Sequence, residues 1–170
     1  MNANHFQDLV TPFQDKLYRF AWSLLRNQFE AEDAVQDVIL KLWERKEKID
    51  QIENLEAWLM RATKNKCIDM MRSKGRNNAP IEEVIHIEAK ERSPDELAES
   101  GDILEKINAF MDDLSETQKA VIMLRDIEGY TYDEISEILD LSLSQVKIKL
   151  HRARKNMREK LLKANLYGTR

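Results

Sequence analysis

The stretch TYDEISEILDLSLSQVKIKLHRARKNMREKL, residues 131–161, decides the fold of the second half of the chain. It contains two capping boxes, T-x-x-E at 131–134 and S-x-x-Q at 142–145, in which paired side chains satisfy the first backbone N–H groups of a helix. Each box opens a segment with helical apolar spacing, and only an Asp-Leu dipeptide separates the two segments. The stretch therefore predicts helices over 131–139 and from 142 onward, joined as a helix-turn-helix. A third box, S-x-x-Q at 115–118, predicts another short helix upstream.

The second helix of this pair has an apolar stripe and a basic face. The stripe consists of Val146, Leu150, Ala153, Met157 and Leu161. Between Lys147 and Lys163 there are eight basic residues and one acidic residue. Side chains away from the stripe, namely Gln145, Ile148, Lys149, Arg152 and Lys155, suit the major groove of DNA, where helix-turn-helix proteins place their second helix. The alternative is a solvated basic helix in a small bundle.

The rest of the chain is not basic. The 170 residues have a formal net charge of −4 and a sequence pI of about 5.5. Hydrophobic residues make up 42% and charged residues 34%, with only four Gly and three Pro, which favours a soluble helical protein over a turn-rich β protein. The single cysteine, Cys67, excludes an internal disulfide. Without a signal peptide or an apolar run of membrane-spanning length, we expect a cytoplasmic protein that does not insert into membranes.

The sequence offers little for catalysis. The three histidines are scattered, Cys67 has no partner at metal-ligand spacing, and no Gly-rich phosphate loop is present. We therefore expect no catalytic residues, no metal and no cofactor, and the chain is predicted not to be an enzyme.

Charge and composition divide the chain into three parts. Residues 1–75 have a net charge of 0, residues 76–98 a net charge of −3, and residues 99–170 a net charge of −1. The middle part has two of the three prolines, lacks a sustained apolar stripe, and ends in a helix start at 93–96. We predict an all-α protein of two small helical domains, 1–75 and 99–170, joined by a flexible linker, 76–98.

The first domain has a second basic segment. Residues 61–76 contain six basic residues and one acidic residue, after a polar loop in which Asn54 is the expected helix cap. Upstream, EAEDAVQDVILKLWERKEKI has apolar pairs at 34/35, 38/39 and 42/43, with acidic residues in its first turns, where the helix dipole favours them.

Three motifs together identify a family. AEDAVQDVILKLW (31–43), NLEAWLMRATKNKCIDMMR (54–72) and YTYDEISEILDLSLSQVKIKLHRARKNMREKL (130–161) closely resemble regions 2.2, 2.3–2.4 and 4.2 of bacterial extracytoplasmic-function (ECF) sigma factors. The motifs follow the family's order and spacing over nearly the whole chain. The resemblance implies a sigma-2 domain, a linker and a sigma-4 domain, without region 1.1 or a sigma-3 domain. It also implies a protein that binds RNA polymerase core and directs it to promoters.

The resemblance assigns roles to three sets of residues. The set for the promoter −35 element is Gln145, Lys147, Ile148, Lys149, Arg152 and Lys155. The set for the −10 element is Asn54, Arg61, Lys64, Asn65, Arg72, Lys74 and Arg76. The set for core polymerase is Asp33, Gln36, Asp37 and Lys41. Two positions depart from the family: Asp140 stands where Gly is usual in the turn, and Ile148 stands where a small or basic residue is common. Because Asp tolerates left-handed backbone better than most residues, we expect the turn to survive.

The expected partners are bacterial RNA polymerase core, promoter DNA and, where the chain has one, an anti-sigma factor. Two alternatives are a stand-alone helix-turn-helix regulator that binds operators unaided and a helical adaptor whose basic faces meet acidic proteins. Since neither domain has a net positive charge, we predict that the free chain binds duplex promoter DNA weakly.

Overall fold

The computed structural model describes residues 1–77 and 109–168, with side chains described for 1–75 and 109–163. Its helices are α1 (Ala3–Leu25), α2 (Gln28–Glu44), a 3-10 helix (Lys46–Gln51), α3 (Leu55–Asn77), α4 (Glu116–Ile122) continued by a π turn (Met123–Ile127), α5 (Tyr132–Leu139) and α6 (Leu143–Gly168). The described residues contain no strand. The predicted all-α class, with two helical domains and a helix-turn-helix in the second, is confirmed.

Three asparagines begin the long helices of the first domain. Asn2, Asn27 and Asn54 each accept a hydrogen bond from the backbone N–H three residues on, which satisfies one of the donors that a helix start leaves without an intrahelical partner. The cap predicted at Asn54 is therefore confirmed, with a distance of 2.9 Å from the Ala57 nitrogen to Oδ1. Helices α1, α2 and α3 pack against one another around fully buried side chains such as Phe20 and Leu42.

Capping boxes also begin the helices of the second domain. At 115–118, 131–134 and 142–145, both reciprocal hydrogen bonds are present, so all three predicted helix starts are confirmed. Gly129 has φ of +77° and turns the chain from the π turn toward α5. Asp140 has φ of 54° and ψ of 50°, the left-handed conformation, and its backbone N–H is hydrogen-bonded to the Ser136 carbonyl. The turn survives with Asp in place of Gly, as expected.

The apolar stripe predicted for α6 is correct only in part. Val146, Leu150 and Ala153 are buried and Met157 is half-buried, but Leu161 is 44% exposed. Helix α6 has 26 residues, about 39 Å at 1.5 Å per residue, whereas α4 and α5 have seven and eight. Because these partners are so short, they cover the first part of α6 and leave Leu161 on the surface.

The two domains are in contact. Helix α1 packs against α4 and the π turn, and α3 packs against α5, the first helix of the helix-turn-helix. The predicted linker at 76–98 and its helix start at Ser93 lie outside the described residues, except that the α3 backbone runs two residues past the predicted domain boundary, to Asn77. The sequence did not predict the contact between the domains.

Candidate nucleic-acid and protein interfaces

The recognition face of α6 is the set of side chains predicted to contact the −35 element: Gln145, Lys147, Ile148, Lys149, Arg152 and Lys155. Lys149 is half-buried and the other five are exposed. At about 100° per residue, all except Lys147 fall within roughly a third of the helix circumference. Ile148 is 50% exposed among cations, and its uncovered methyl groups could contact the methyl group of a thymine. This part of α6 can therefore read a major groove.

Gln145 has a second role that limits its freedom. Its Oε1 accepts a hydrogen bond from the Ser142 backbone nitrogen at 2.9 Å, while its own backbone nitrogen donates to Ser142 Oγ at 3.1 Å. The carbonyl end of the Gln145 amide is thus occupied by the capping box. Among the five clustered side chains, Ile148 and Arg152 are better placed for base edges.

Lys147 lies in a neighbouring cationic groove. The groove has a volume of about 440 Å³ and is lined by Tyr132, Lys147, Leu150, His151, Arg154, Lys155 and Arg158. Arg154 also forms a two-point pair with Asp126, through Nε at 3.1 Å and Nη2 at 2.5 Å, and this hydrogen bonding raises the pKa of Arg154. The remaining cations can attract a phosphate beside the recognition face, a feature that the predicted site did not include.

The basic face of α3 is the surface formed by Arg61, Lys64, Asn65 and Arg72, which the structure brings together on one side of the helix. Arg61, Asn65 and Arg72 are exposed, and Lys64 is half-buried beside them. Burial, and then the nearby charges of Arg61 and Arg72, lower the pKa of Lys64, although Asp140 opposes this effect. A nearby anion stabilises the charged form of a lysine whose pKa is lowered in this way. This face can therefore accept DNA phosphates.

Two other residues predicted to contact the −10 element lie apart from this face. The Lys74 ammonium is paired with Glu30 of α2, on the opposite side of α3, and so belongs to the packing of these helices. Asn54 is exposed at the N-terminus of α3, but its Oδ1 holds the helix cap. The side chain of Arg76 lies outside the described residues.

Helix α2 presents a surface that the sequence predicted incompletely. Asp33, Gln36 and Lys41 are exposed as predicted. Asp37, in contrast, is half-buried and pairs with Lys66 of α3 at 2.5 Å, and the hydrogen bond raises the pKa of Lys66. A substitution that reversed the charge at position 37, such as Asp37→Arg, would place two cations together. It would disturb the packing of α2 on α3 as well as any partner contact.

The predicted set omitted two exposed apolar residues. Phe29 is 79% exposed and Leu40 is 55% exposed, and both share a helical face with Asp33 and Gln36. We call these four residues the α2 surface. The sequence contained a signal for these two exposed residues. Phe29 and Leu40 lie outside the apolar pairs that face the core, and about three helical turns separate them. Exposed aromatic and aliphatic side chains between polar ones are typical of a protein-binding surface.

The described residues hold no group of His, Cys, Asp and Glu side chains arranged to bind a metal ion. Within 1–77 and 109–168, no helix is long and apolar enough to cross a membrane.

Comparison with known families matches both parts of the chain. Residues 9–77 match the model of sigma-70 region 2, and residues 104–157 match that of sigma-70 region 4. The chain belongs to the sigma-70 family. Within that family it is of the ECF type: it is 32% identical over 160 residues to the ECF RNA polymerase sigma factor SigE of Mycolicibacterium smegmatis, covering 93% of this chain and 62% of the relative's length. It is 28% identical to the ECF RNA polymerase sigma factor SigW of Bacillus subtilis, covering 92% of this chain and 88% of that protein.

Sigma factors of known structure have the same fold as this chain. The sigma factor RpoE, in complex with the anti-sigma factor NepR from Bartonella quintana, matches with a TM-score of 0.72 and 25% identity. The match covers 94% of this chain and 98% of that chain. A match of this extent includes both domains.

Proposed function

We propose that this ECF sigma factor binds bacterial RNA polymerase core and directs it to promoters that it recognises at two elements. The observation that carries the proposal is the recognition face of α6. It presents exposed cations around a half-exposed Ile148, on the second helix of a helix-turn-helix. Phosphate contacts from Lys149 and Lys155 would position the helix, while contacts from Ile148 and Arg152 would discriminate between bases.

The other two surfaces supply the remaining contacts. The basic face of α3 takes the −10 element, where its clustered cations neutralise phosphates of the DNA. The α2 surface docks on core polymerase, with Phe29 and Leu40 as apolar anchors inside the polar rim of Asp33 and Gln36. All three roles are binding roles, so the chain acts as a non-enzymatic initiation factor without a cofactor. It acts in the cytoplasm, where bacterial RNA polymerase works. Since RpoE is held by NepR in the matching structure, an anti-sigma factor is a third proposed partner.

Reconstituted transcription tests this function. Bacterial core enzyme, the purified chain and a library of promoter fragments should yield transcripts from a subset of fragments that share a −35 and a −10 sequence. Core enzyme without the chain serves as the control. Transcripts that do not depend on the chain, or that start on all fragments alike, would contradict the proposal.

The alternative is a helix-turn-helix regulator that binds operators unaided. The exposed basic face of α6 alone would serve such a protein, and the two functions differ in their need for polymerase. Gel-shift titration at fixed salt should give weak binding by the free chain and much tighter binding once core is added. Tight, sequence-specific binding by the chain alone would favour the regulator.

A further inference from the structure

The side chain of Gln145 is oriented by the capping box that begins α6. Its Oε1 accepts a hydrogen bond from the backbone nitrogen of Ser142 at 2.9 Å, and its own backbone nitrogen donates to Ser142 Oγ at 3.1 Å. A backbone N–H group can only donate, so the oxygen of the Gln145 amide, and not its nitrogen, must face Ser142. The amino group of the amide, which carries two N–H donors, is therefore the end that is left for a partner.

Gln145 lies on the recognition face, close to the residues proposed to contact bases. It is exposed, and so is Ser142 at the start of the helix. At about 100° per residue, Gln145 is roughly 20° around α6 from Arg152 and roughly 60° from Ile148. In helix-turn-helix proteins, residues near the N-terminus of the second helix contact base edges. Gln145 therefore belongs to the part of α6 that enters the major groove.

The two ends of a glutamine amide determine which base it reads. An unconstrained glutamine reads adenine with both ends, because the oxygen accepts from N6 while the amino group donates to N7. In Gln145 the cap holds the oxygen against the helix terminus, so the two ends cannot lie together along one base. An amino group alone suits guanine, because N7 and O6 of guanine are both acceptors. Adenine instead presents a donor at N6 beside its N7 acceptor.

Adenine could be read in this way only at the expense of the cap. The amide would have to turn its oxygen toward the base and leave the Ser142 backbone N–H without this acceptor. DNA in the major groove would also keep water from that group. A donor that is enclosed without a partner costs more free energy than a typical hydrogen bond contributes. Guanine can be read with the capping box intact, so the balance of hydrogen bonds favours guanine.

We propose that Gln145 is a specificity-determining residue that reads a guanine of the −35 element through its amino group, while the capping box holds its oxygen. The inference rests on the proposed function, because it concerns the face of α6 that is assigned to this element. One side chain then serves both the start of the helix and the choice of base. Ile148 and Arg152 contact neighbouring bases, and Gln145 adds a preference for a G·C pair in one orientation.

Glutamate at position 145 tests the proposal without loss of the cap. The chain already contains a box of that kind: Glu134 Oε2 accepts from the Thr131 backbone nitrogen at 2.7 Å, and the Glu134 nitrogen donates to Thr131 Oγ1 at 3.2 Å. Gln145→Glu should therefore keep the helix start and replace the amino group by a second oxygen, which can only accept. A carboxylate accepts from N4 of cytosine. The preferred base at one position should change from guanine to cytosine on the same strand, by about tenfold.

The experiment is selection from a library with a randomised −35 element, by core polymerase bound to the full-length chain. Gln118→Glu is the matched control, because it makes the same change in the capping box of α4, where Gln118 Oε1 accepts from the Ser115 nitrogen at 3.4 Å. The added negative charge at 145 weakens binding to all fragments alike, and the ranking of fragments is insensitive to that common loss. Chemical denaturation should give nearly wild-type stability for both variants. Only Gln145→Glu should change the preferred sequence.

The wild-type selection and the variant selection have separate meanings. The base pair that faces Gln145 is the one whose preference changes in Gln145→Glu. If the wild-type chain selects adenine there, the amide reads with both ends and the proposal is wrong. It is also wrong if no position changes, or if Gln118→Glu changes the same position equally. If the wild-type holoenzyme selects no −35 sequence at all, the proposed function fails and this inference falls with it.

Discussion

At the scale of single residues, Asp140 shows how far local chemistry can be predicted from sequence. An Asp in place of the usual Gly predicted a left-handed residue, and φ of 54° confirms it. The conformation is fixed by neighbours in sequence: the Asp140 backbone N–H bonds the Ser136 carbonyl, and the Ser136 hydroxyl bonds the Leu141 carbonyl. Because every partner is within five residues, the sequence contains the information needed to predict the turn.

Substitution at Asp140 should follow the sterics of left-handed backbone. Asp140→Val should lower the free energy of unfolding by about 1–2 kcal/mol, because a β-branched residue is strongly disfavoured at positive φ. Asp140→Gly should leave it equal or slightly higher. Chemical denaturation followed by circular dichroism measures both changes. Glu137→Val, at an exposed helical position one turn earlier, controls for the side chain itself. Equal losses at 137 and 140 would remove backbone strain as the cause.

Ile148 and Lys149 are neighbours with different proposed tasks. Changing Lys149 to Ala should weaken binding of the polymerase holoenzyme to all promoters about equally and should reduce the slope of log affinity against log salt by roughly 1. Changing Ile148 to Ala should instead alter which −35 sequence is preferred, because it removes the apolar contact to a base. Selection from a randomised −35 library measures both. Identical sequence preferences for wild type and Ile148→Ala would place base readout elsewhere on α6.

At the scale of helices, the sequence predicted where helices begin better than it predicted which side chains face a partner. Capping boxes and the Asn54 cap are local, and all of them are present where predicted. The pairing of Asp37 with Lys66 and of Lys74 with Glu30 depends on how α2 and α3 lie against each other. The spacing of residues within either helix does not show how the two helices are aligned against each other. Two residues assigned to partners therefore also pair with a neighbouring helix, and Leu161 is exposed because its packing partners are short.

The α2 surface gives a test of polymerase docking that does not disturb the fold. Leu40→Ala should weaken binding to core by about 1–2 kcal/mol, roughly tenfold, as expected for an apolar anchor at the centre of an interface. Stability should change little, because Leu40 is already 55% exposed. Leu162→Ala is the matched control, since the same side chain is 56% exposed on α6. Core affinity is measured by fluorescence anisotropy of the labelled chain. Equal effects of the two substitutions would show that the α2 surface is not the docking site.

At the scale of the whole molecule, the sequence predicted two domains but not their contact. The segment between them indicated only a spacer, and the residues that form the contact between the domains have no sequence signature. Lys16 and Arg19 come from α1, Glu56 comes from α3, and Glu128 and Tyr130 come from the loop before α5, so only the docked fold brings them together. Over the predicted bounds, 1–75 and 99–170, neither domain has a net positive charge.

In the closed state, in which the two domains are in contact, Glu56 accepts hydrogen bonds from Lys16 and from Tyr130 of the other domain. This contact should respond to pH at both ends. Burial alone would raise the pKa of Glu56, but hydrogen bonds from Lys16 and Tyr130 outweigh it, so the pKa in the closed state lies below the ordinary 4.5. Burial first, then the hydrogen bond to Glu56 and the charges of Glu56, Glu128 and Glu134, raise the pKa of Tyr130 well above the ordinary 10.0. The Glu56 contribution to closure is present above pH 4.5 and is lost as the pH falls through the lowered pKa. The Tyr130 contribution is present below pH 10 and declines as the pH rises toward the raised pKa.

We expect the closed fraction to be highest between about pH 4.5 and pH 10 and to fall on either side of that window. The distance between spin labels at exposed positions 50 and 144 measures this fraction. Far-ultraviolet circular dichroism at each pH must show that the helices persist while the domains separate. Tyr130→Phe should abolish the alkaline limb, because Phe cannot ionise. Glu56→Gln should lower closure at neutral pH and flatten the acidic limb, because Gln has no proton to gain. Limbs that are unchanged in these variants would assign the pH response to other groups and show that Glu56 and Tyr130 do not control the contact between the domains.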